Sequence, residues 1–267
     1  MERLKEIERS IIKKYRKEIW SKYVKGVKEF EMIKENDKIA VCISGGKDSF
    51  LLAKCMQELL RHKKFHYELE FIVMNPGYNE ENINKIKENL KILGIDAHIF
   101  DTPIFDVADK TDNPCYLCAR MRRGYLYSYA QKLGCNKIAL GHHFDDVIET
   151  ILMNILYTGN YASMMPKLHS DNFEGMELIR PLYFVREKDI KSWAKYNGLE
   201  FIDCACSVTK KKIGKRQEVK ELVQKLNEMY KEADKCIFAS SFNVNLNTVI
   251  GYKKGNEKYT FMDDYDM

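Results

Sequence analysis

The stretch Ser44-Gly45-Gly46-Lys47-Asp48-Ser49 carries the clearest chemical signature of the chain. An apolar run at 39–43, which predicts a buried parallel strand, precedes it, and a run at 50–56 that predicts a helix follows it. A strand, a glycine turn and a helix start place backbone N–H groups around an anion. Lys47 adds a positive charge, the serines add hydroxyl donors, and the carboxylate of Asp48 suggests a Mg²⁺ ion bridging to phosphates. The spacing differs from that of the Walker A loop.

A second cluster, Gly141-His142-His143-Phe144-Asp145-Asp146, follows another predicted strand and opens a helix. The helix dipole favours carboxylates in a first turn, so helix capping alone could explain both aspartates. Their predicted position beside the glycine turn favours a functional role, because a carboxylate there can hold Mg²⁺ or contact a substrate base. The two histidines could orient a phosphate or the substrate.

Four of the eight cysteines form a third pattern. Cys115 and Cys118 open a predicted helix, and Cys204 and Cys206 come much later in the chain. Two cysteine pairs could complete a zinc site with four thiolates, whereas three thiolates would suit a [4Fe–4S] cluster. Spacing alone leaves both metals open.

The elements that must position these residues alternate between strand and helix from Lys38 onward. Strands are predicted at 38–44, 68–75, 97–100, 137–141 and 178–182, and helices at 47–62, 80–93, 115–133, 145–158 and 187–197. The alternation predicts an α/β fold with a doubly wound parallel sheet of about five strands. Ligands of such sheets bind beyond the carboxyl ends of the strands, so one crevice collects 44–49, Asn75 and 141–146.

Composition places few limits on function. The chain has 267 residues, of which 45% are hydrophobic and 31% are charged, as in ordinary globular proteins. No apolar run reaches the roughly 20 residues of a membrane span, and the first residues lack a signal-peptide core, so we expect a cytoplasmic protein without a membrane partner. Cysteines in that compartment do not indicate a disulfide framework, and Cys42 and Cys55 fall in apolar runs that predict core positions.

Four blocks together resemble the TtcA family of tRNA thiolases, a PP-loop group related to TtuA. They are SGGKDS at 44–49, PCYLCARMRRGYLYSYAQKLGCNKIALGHHFDD at 114–146, IRPLYFVREKDI at 179–190 and CAC at 204–206. The resemblance extends over about residues 30 to 220 in the same order. It implies a PP-loop ATP pyrophosphatase domain of the HUP-like class at 37–205, between an N-terminal helical segment at 1–36 and a C-terminal helix and tail at 206–267.

The family resemblance also implies a reaction. ATP and Mg²⁺ would bind at 44–49, C2 of a tRNA cytidine (position 32 in the family) would be adenylated, and sulfur would replace its oxygen. The residues expected at the ATP and catalytic site are Ser44, Gly45, Gly46, Lys47, Asp48, Ser49, Asn75, Gly141, His142, Asp145 and Asp146.

The same resemblance assigns a [4Fe–4S] cluster to Cys115, Cys118 and one later cysteine. Family members typically have a CxxC pair at the later position, whereas this chain has Cys204-Ala205-Cys206. Matching the second cysteine of that pair favours Cys206 as the ligand, and a gapless alignment favours Cys204.

The implied partners are tRNA and a sulfur donor such as a cysteine desulfurase or free sulfide, with a homodimer as a further possibility. The candidate RNA contacts are basic: Arg120, Arg122, Arg123, Lys210, Lys211, Lys212, Lys215 and Arg216. The N-terminal segment also has a Lys/Arg-rich face, which predicts either a solvated surface or a phosphate contact. The alternatives are tRNA uridine 2-thiolation, adenylation of a small substrate, a non-catalytic nucleotide-binding Fe–S or zinc redox sensor, and a structural RNA-binding module.

Overall fold

The computed structural model of the chain describes residues 2–62, 66–108, 114–202, 214–263 and 265. Its main sheet contains β1 (Lys38–Ile43), β2 (Glu68–Asn75), β3 (His98–Asp101), β4 (Lys137–Ala139), β5 (Lys167–His169) and β6 (Glu177–Ile179). The strand order is β3-β2-β1-β4-β6-β5. The first five strands in that order are parallel, which confirms the predicted sheet.

Helices connect and cover these strands. They are α1 (Glu2–Ile12), α2 (Ser21–Glu29), α3 (Lys47–Arg61), α4 (Glu80–Leu93), α5 (Ile104–Ala108), α6 (Pro114–Lys132), α7 (Phe144–Thr158), α8 (Glu187–Tyr196), α9 (Lys215–Met229) and α10 (Ala233–Ser240). Within the described residues, none of them has the length and apolarity needed to cross a bilayer.

Two features of the sheet differ from the prediction. The strand β5 was not predicted, and it pairs antiparallel with β6 at the edge of the sheet. Its three residues are too few to show a periodic pattern. The strands β4 and β6 end at Ala139 and Ile179, earlier than predicted, because the chain turns into loops directly after them.

The core lies on both faces of the sheet, as a doubly wound fold requires. Every residue of β1 after Lys38 is buried. On one face, α3 contributes Phe50, Leu51 and Cys55, each with no exposed surface. On the other face, α6 packs Tyr127 and Ala130 against Cys42. The predicted core positions of Cys42 and Cys55 are therefore confirmed.

The N-terminal segment is helical from Glu2 to Glu29, with one interruption. After α1, the chain turns at 13–15, forms a π-helical turn at Arg16–Trp20 and continues as α2. Tertiary contacts explain the interruption, since Tyr15 is buried and its hydroxyl donates to Ser192 O at 3.0 Å. Ile19 and Tyr23, four residues apart, are both buried on one face of the segment.

The C-terminal part of the chain contains more structure than the sequence predicted. One C-terminal helix was predicted, whereas the described part of the structure has two, α9 and α10. A hairpin of β7 (Gly251–Lys254) and β8 (Glu257–Thr260) was not predicted. The stacked rings of Tyr252 and Tyr259 join its strands, with centroids 4.9 Å apart.

Candidate active site

The loop Ser44–Ser49, called the phosphate loop below, is held in one conformation by its own contacts. Gly45 has φ +92°, and a Cβ there would lie 2.5 Å from the Ile202 side chain, so only glycine fits. The Ser49 hydroxyl donates to Gly46 O at 2.8 Å and accepts from Ser44 N–H at 3.2 Å. The N-cap residue of α3 is Gly46, which has no side chain to cap the helix, so the amides of the first turn can attract an anion.

The loop between β4 and α7 lies directly against the phosphate loop. A Cβ at Gly141 would lie 3.0 Å from backbone atoms of Asp48 and Ser49. Both loops line one pocket of about 280 Å³, called the central pocket below. Its lining includes Ser44, Asp48, Ser49, Met74, Tyr78, Arg122, Gly141, His142 and Asp146. The structure thus brings two of the predicted clusters together.

Asp146 uses both carboxylate oxygens. One accepts the His143 N–H at 2.8 Å in a capping box that starts α7, and the other pairs with Arg216 at 2.9 Å. Burial opposes ionisation of Asp146, but His143 and Arg216 outweigh it and hold its pKa below the usual range. Asp146 is therefore an anion at neutral pH on the wall of the central pocket.

Asp145 has a different position from Asp146. It lines a neighbouring groove beside α8, and it is absent from the lining of the central pocket. Its carboxylate accepts the Glu187 N–H at 2.7 Å and so caps the start of α8. Asp145 joins α7 to α8 in this structure.

Glu187 binds the lysine of the phosphate loop, and the sequence did not single it out. The carboxylate of Glu187 lies 3.1 Å from Lys47, 3.0 Å from Lys191 and 2.6 Å from Lys220. Lys47 also lies 3.1 Å from Asp48. Burial alone would lower the pKa of Lys47, but these two carboxylates raise it. Glu187 thus fixes the Lys47 ammonium beside the loop.

His142 is neutral and oriented. Burial is the main cause that lowers its pKa to about 4. Its Nδ1 accepts from Arg180 Nε at 3.3 Å, so Nε2 carries the proton of the neutral ring. Arg180, whose pKa burial lowers to about 10, stays charged at neutral pH. The imidazole can therefore donate one hydrogen bond to a ligand in the central pocket.

Two buried polar atoms of this site have no hydrogen-bond partner among the described residues. They are Asp48 Oδ1 and Arg122 Nε. His143 Nε2 lies 3.8 Å from this Oδ1, which is too long for a hydrogen bond. An anionic oxygen and a guanidinium nitrogen left unsatisfied beside one pocket fit a ligand with a divalent cation and phosphates.

Two of the four cysteines predicted as metal ligands lie within the described residues. Cys115 and Cys118 lie in the first turns of α6, and the Cys118 side chain is half-buried. Cys118 and Arg122 are four residues apart and so share a helix face. Because Arg122 lines the central pocket, Cys118 lies one turn from that lining. Cys204, Cys206 and the predicted contacts Lys210, Lys211 and Lys212 lie outside the described residues.

The remaining predicted site residues differ in exposure and in their contacts. Arg120 and Arg123 are exposed on α6. Lys215 lies over the Tyr157 ring, 4.6 Å from its centroid, and Arg216 pairs with Asp146 and with Glu149 at 2.7 Å. The Asn75 side chain holds its own loop, since it accepts from Tyr78 N–H and donates to Asp101, both at 2.7 Å. Arg216 thus contacts the candidate site, where the sequence predicted only an RNA contact.

Replacing Glu187 with glutamine should destabilise the protein in a pH-dependent way. Burial opposes the charge of Glu187, but its lysine partners outweigh it and depress its pKa. A depressed pKa means that the carboxylate stabilises the fold above its unfolded pKa of about 4.3 and loses that effect as the pH falls. We expect Glu187→Gln to cost about 2 kcal/mol of unfolding free energy at pH 7, and less below pH 4.

Urea denaturation between pH 7 and pH 3 measures this difference. Glu200→Gln is the matched control, because Glu200 pairs with Lys85 at 3.2 Å but is 83% exposed, so its loss should cost under about 0.5 kcal/mol. An equal cost of Glu187→Gln at both pH values would contradict the assignment of its stabilisation to ion pairs.

The chain is similar to known proteins over most of its length. The PP-loop domain family matches residues 15–227. The tRNA-cytidine(32) 2-sulfurtransferase of Syntrophotalea carbinolica is 39% identical over 208 residues, which cover 76% of this chain and 80% of that protein. The tRNA-cytidine(32) 2-sulfurtransferase of Geobacter metallireducens is 36% identical over 236 residues, which cover 87% and 91%.

A solved structure shares the fold. It is the U34-tRNA thiolase NcsA from Methanococcus maripaludis with its [4Fe-4S] cluster, and it superposes with a TM-score of 0.66 at 23% identity. The match covers 88% of this chain and 80% of that chain. At this level of identity, the similarity supports the arrangement of strands and helices.

Proposed function

The chain belongs to the PP-loop family that includes the tRNA-cytidine(32) 2-sulfurtransferases, and we propose that it uses ATP to replace the C2 oxygen of cytidine 32 in tRNA with sulfur. The observation that carries the proposal is the central pocket, where the phosphate loop, the Gly141–Asp146 loop and α6 meet. An adenylating thiolase requires three parts: a phosphate site, a fixed carboxylate and a helix with a cysteine pair.

The proposed reaction has two steps. The C2 oxygen of cytidine attacks the α-phosphate of ATP, and the bond to the β-phosphate breaks, so that pyrophosphate leaves. A sulfide (HS⁻) then attacks C2, the C2–O bond breaks so that AMP departs with the original oxygen, and the sulfhydryl proton passes to solvent. The phosphate-loop amides and Lys47 would bind the phosphates, and the unsatisfied Asp48 Oδ1 would bind Mg²⁺. The neutral His142 would donate to the bound nucleotide or base.

The cysteines would bind the group that delivers sulfur to the substrate. The thiolates of Cys115 and Cys118, with Cys206 or Cys204 as the third ligand, are a donor set suited to a [4Fe–4S] cluster. When bound, this cluster would supply a sulfur nucleophile at neutral pH. The position of Cys118 one turn from Arg122 supports its approach to the central pocket.

Arg122 should contribute to the adenylation step, whereas its neighbours on α6 should not. Its buried Nε has no hydrogen-bond partner among the described residues, and Arg122 lines the central pocket. We expect Arg122→Gln to lower kcat/KM for ATP in pyrophosphate release by about 20-fold, the loss of one charge-assisted hydrogen bond.

The exposed Arg120 and Arg123 supply the controls for this measurement. Arg120→Gln and Arg123→Gln should leave kcat/KM for ATP within about twofold and act, if at all, on the KM for tRNA. Equal losses for all three variants would contradict a specific contact of Arg122 with the nucleotide.

The proposed function is tested by mass spectrometry of nucleosides from the tRNA of a strain that lacks this protein. We expect 2-thiocytidine to disappear, to return with the wild-type protein, and to stay absent with Lys47→Ala or Cys118→Ala. If 2-thiocytidine persists and a thiouridine disappears, the substrate base is wrong. If no thionucleoside changes, the tRNA proposal fails.

A further inference from the structure

A groove lined by basic side chains runs away from the phosphate loop. One part, of about 640 Å³, lies on the outer side of the loop and is lined by Gly46, Lys47, Lys195 and Gly198, among others. A second part, of about 810 Å³, lies between α1 and the end of α8 and also includes Gly198. The two parts therefore adjoin, and we call them together the α1–α8 groove.

Five cations of this groove have no carboxylate partner among the described residues. Within the described part of the chain, no ion pair joins a carboxylate to any of them: Arg3, Arg9, Lys13, Lys14 and Lys195. Other lysines are paired, for example Lys191 with Glu187 at 3.0 Å and Lys85 with Glu200 at 3.2 Å. Glu6 is the acidic residue in the lining of the α1 part. The groove therefore carries a net positive charge.

The wall of this groove is rigid because α1 is fastened to α8. The buried Ser10 hydroxyl accepts from Trp193 Nε1 and from Asn197 Nδ2, each at 3.1 Å. The Tyr15 hydroxyl lies 3.0 Å from the Ser192 hydroxyl, and Arg3 reaches Gly198 O at 3.5 Å. The backbone positions from which the α1 cations extend are therefore set before any ligand binds.

These cations are spread over a length that matches an extended anion with several charges. The 11 residues of α1 span about 16 Å, with Arg3 in the first turn and Lys13 and Lys14 directly after the last residue. A single phosphate or nucleotide is too short to reach them all, whereas an RNA backbone presents one phosphate after another. We propose that the α1–α8 groove binds the sugar–phosphate backbone of tRNA while the reacting base lies in the central pocket. This inference rests on the proposed function and specifies where its substrate contacts the protein.

The test compares two triple variants with the same change of charge. The groove variant is Arg9→Gln, Lys13→Gln and Lys14→Gln. The control is Lys132→Gln, Lys225→Gln and Lys253→Gln, three exposed lysines on α6, α9 and β7. The affinity for unmodified tRNA is measured at several salt concentrations, because each lost phosphate contact lowers the slope of log K against log salt by about 0.7 to 0.9.

We expect the groove variant to bind tRNA about 10-fold or more weakly at about 0.1 M salt, with a slope smaller by about 2. The KM for tRNA in thiolation should rise, and saturating tRNA should restore kcat. The control should match the wild type in affinity and slope. Lys13→Glu with Lys14→Glu should weaken binding further, and thermal unfolding should be similar in all variants.

Suppose that the wild type binds and thiolates tRNA, and that the groove and control variants have equal tRNA affinity and equal salt slope. This result would overturn the groove proposal and leave the proposed function intact. A wild type that neither binds nor thiolates tRNA would overturn both. Binding of ATP is measured in parallel, and a loss confined to ATP would place the effect at the phosphate loop and also overturn the groove proposal.

Discussion

Asp146→Asn is expected to slow tRNA-dependent pyrophosphate release by about 10³-fold while the protein stays folded. Asparagine keeps an oxygen that can accept the His143 N–H, so the capping box that starts α7 survives. The substitution removes the negative charge that Arg216 and the two histidines surround. A Mg²⁺ ion or a polarised base needs that charge, and the amide cannot supply it.

Asp145→Asn is the matched control for this prediction. Asp145 caps α8 and is absent from the lining of the central pocket, and asparagine caps helices nearly as well as aspartate. We expect its pyrophosphate release to stay within about fivefold of the wild type, since capping changes cost only about 1 kcal/mol. Retention of more than a tenth of the wild-type rate by Asp146→Asn would rule out a catalytic role for its charge.

Gly141→Ala is expected to lower kcat/KM for ATP by about 100-fold, the loss expected when reacting groups are misplaced by about 1 Å. The added methyl group would lie 3.0 Å from the Asp48 carbonyl carbon and from Ser49 N. Both atoms belong to backbone in the first turn of α3, which cannot rotate away as a side chain would. The loop amides would then point away from the phosphates.

Gly124→Ala provides the comparison for Gly141→Ala. A Cβ at Gly124 meets nothing within 4 Å, and alanine should stabilise α6 by up to about 1 kcal/mol. Its kinetics should equal those of the wild type. Isothermal titration with a non-hydrolysable ATP analogue measures the binding part of the effect. Unchanged affinity and rate in Gly141→Ala would mean that the two loops separate without loss.

The site and its supporting strands follow from local patterns. The bounds predicted for β2 and α4 match the structure, because a run of apolar residues or a capped amphipathic stretch determines each of them. The convergence of the phosphate loop with Gly141–Asp146 follows from a general rule, since both loops leave the carboxyl ends of neighbouring parallel strands.

Other features depend on contacts that are distant in the sequence. Glu187 is an acidic residue in a first helical turn, which by itself predicts only a solvated cap. Its contact with Lys47 joins residues 140 positions apart. Arg216 lies in a basic run and was predicted as an RNA contact for that reason, yet the start of α9 places it on Asp146.

The C-terminal hairpin of β7 and β8 was not predicted, for a different reason. Gly255-Asn256 is a two-residue turn signal between short stretches of Tyr and Lys, and Gly255 has φ +62°. The strands beside this turn are polar and largely exposed, so they lack the alternation of apolar residues that predicts a strand.

The attachment of α1 to α8 gives the protein a built-in optical reporter. The chain has two tryptophans: Trp20 lies in the N-terminal segment, and Trp193 on α8 contacts that segment. Trp193 is fully buried with its indole bonded to Ser10, and Trp20 stacks on Tyr23. Intrinsic fluorescence therefore reports release of the N-terminal segment, whereas the phosphate loop contributes no indole. A red shift of emission would reveal loosening of the α1–α8 groove in any variant without an added label.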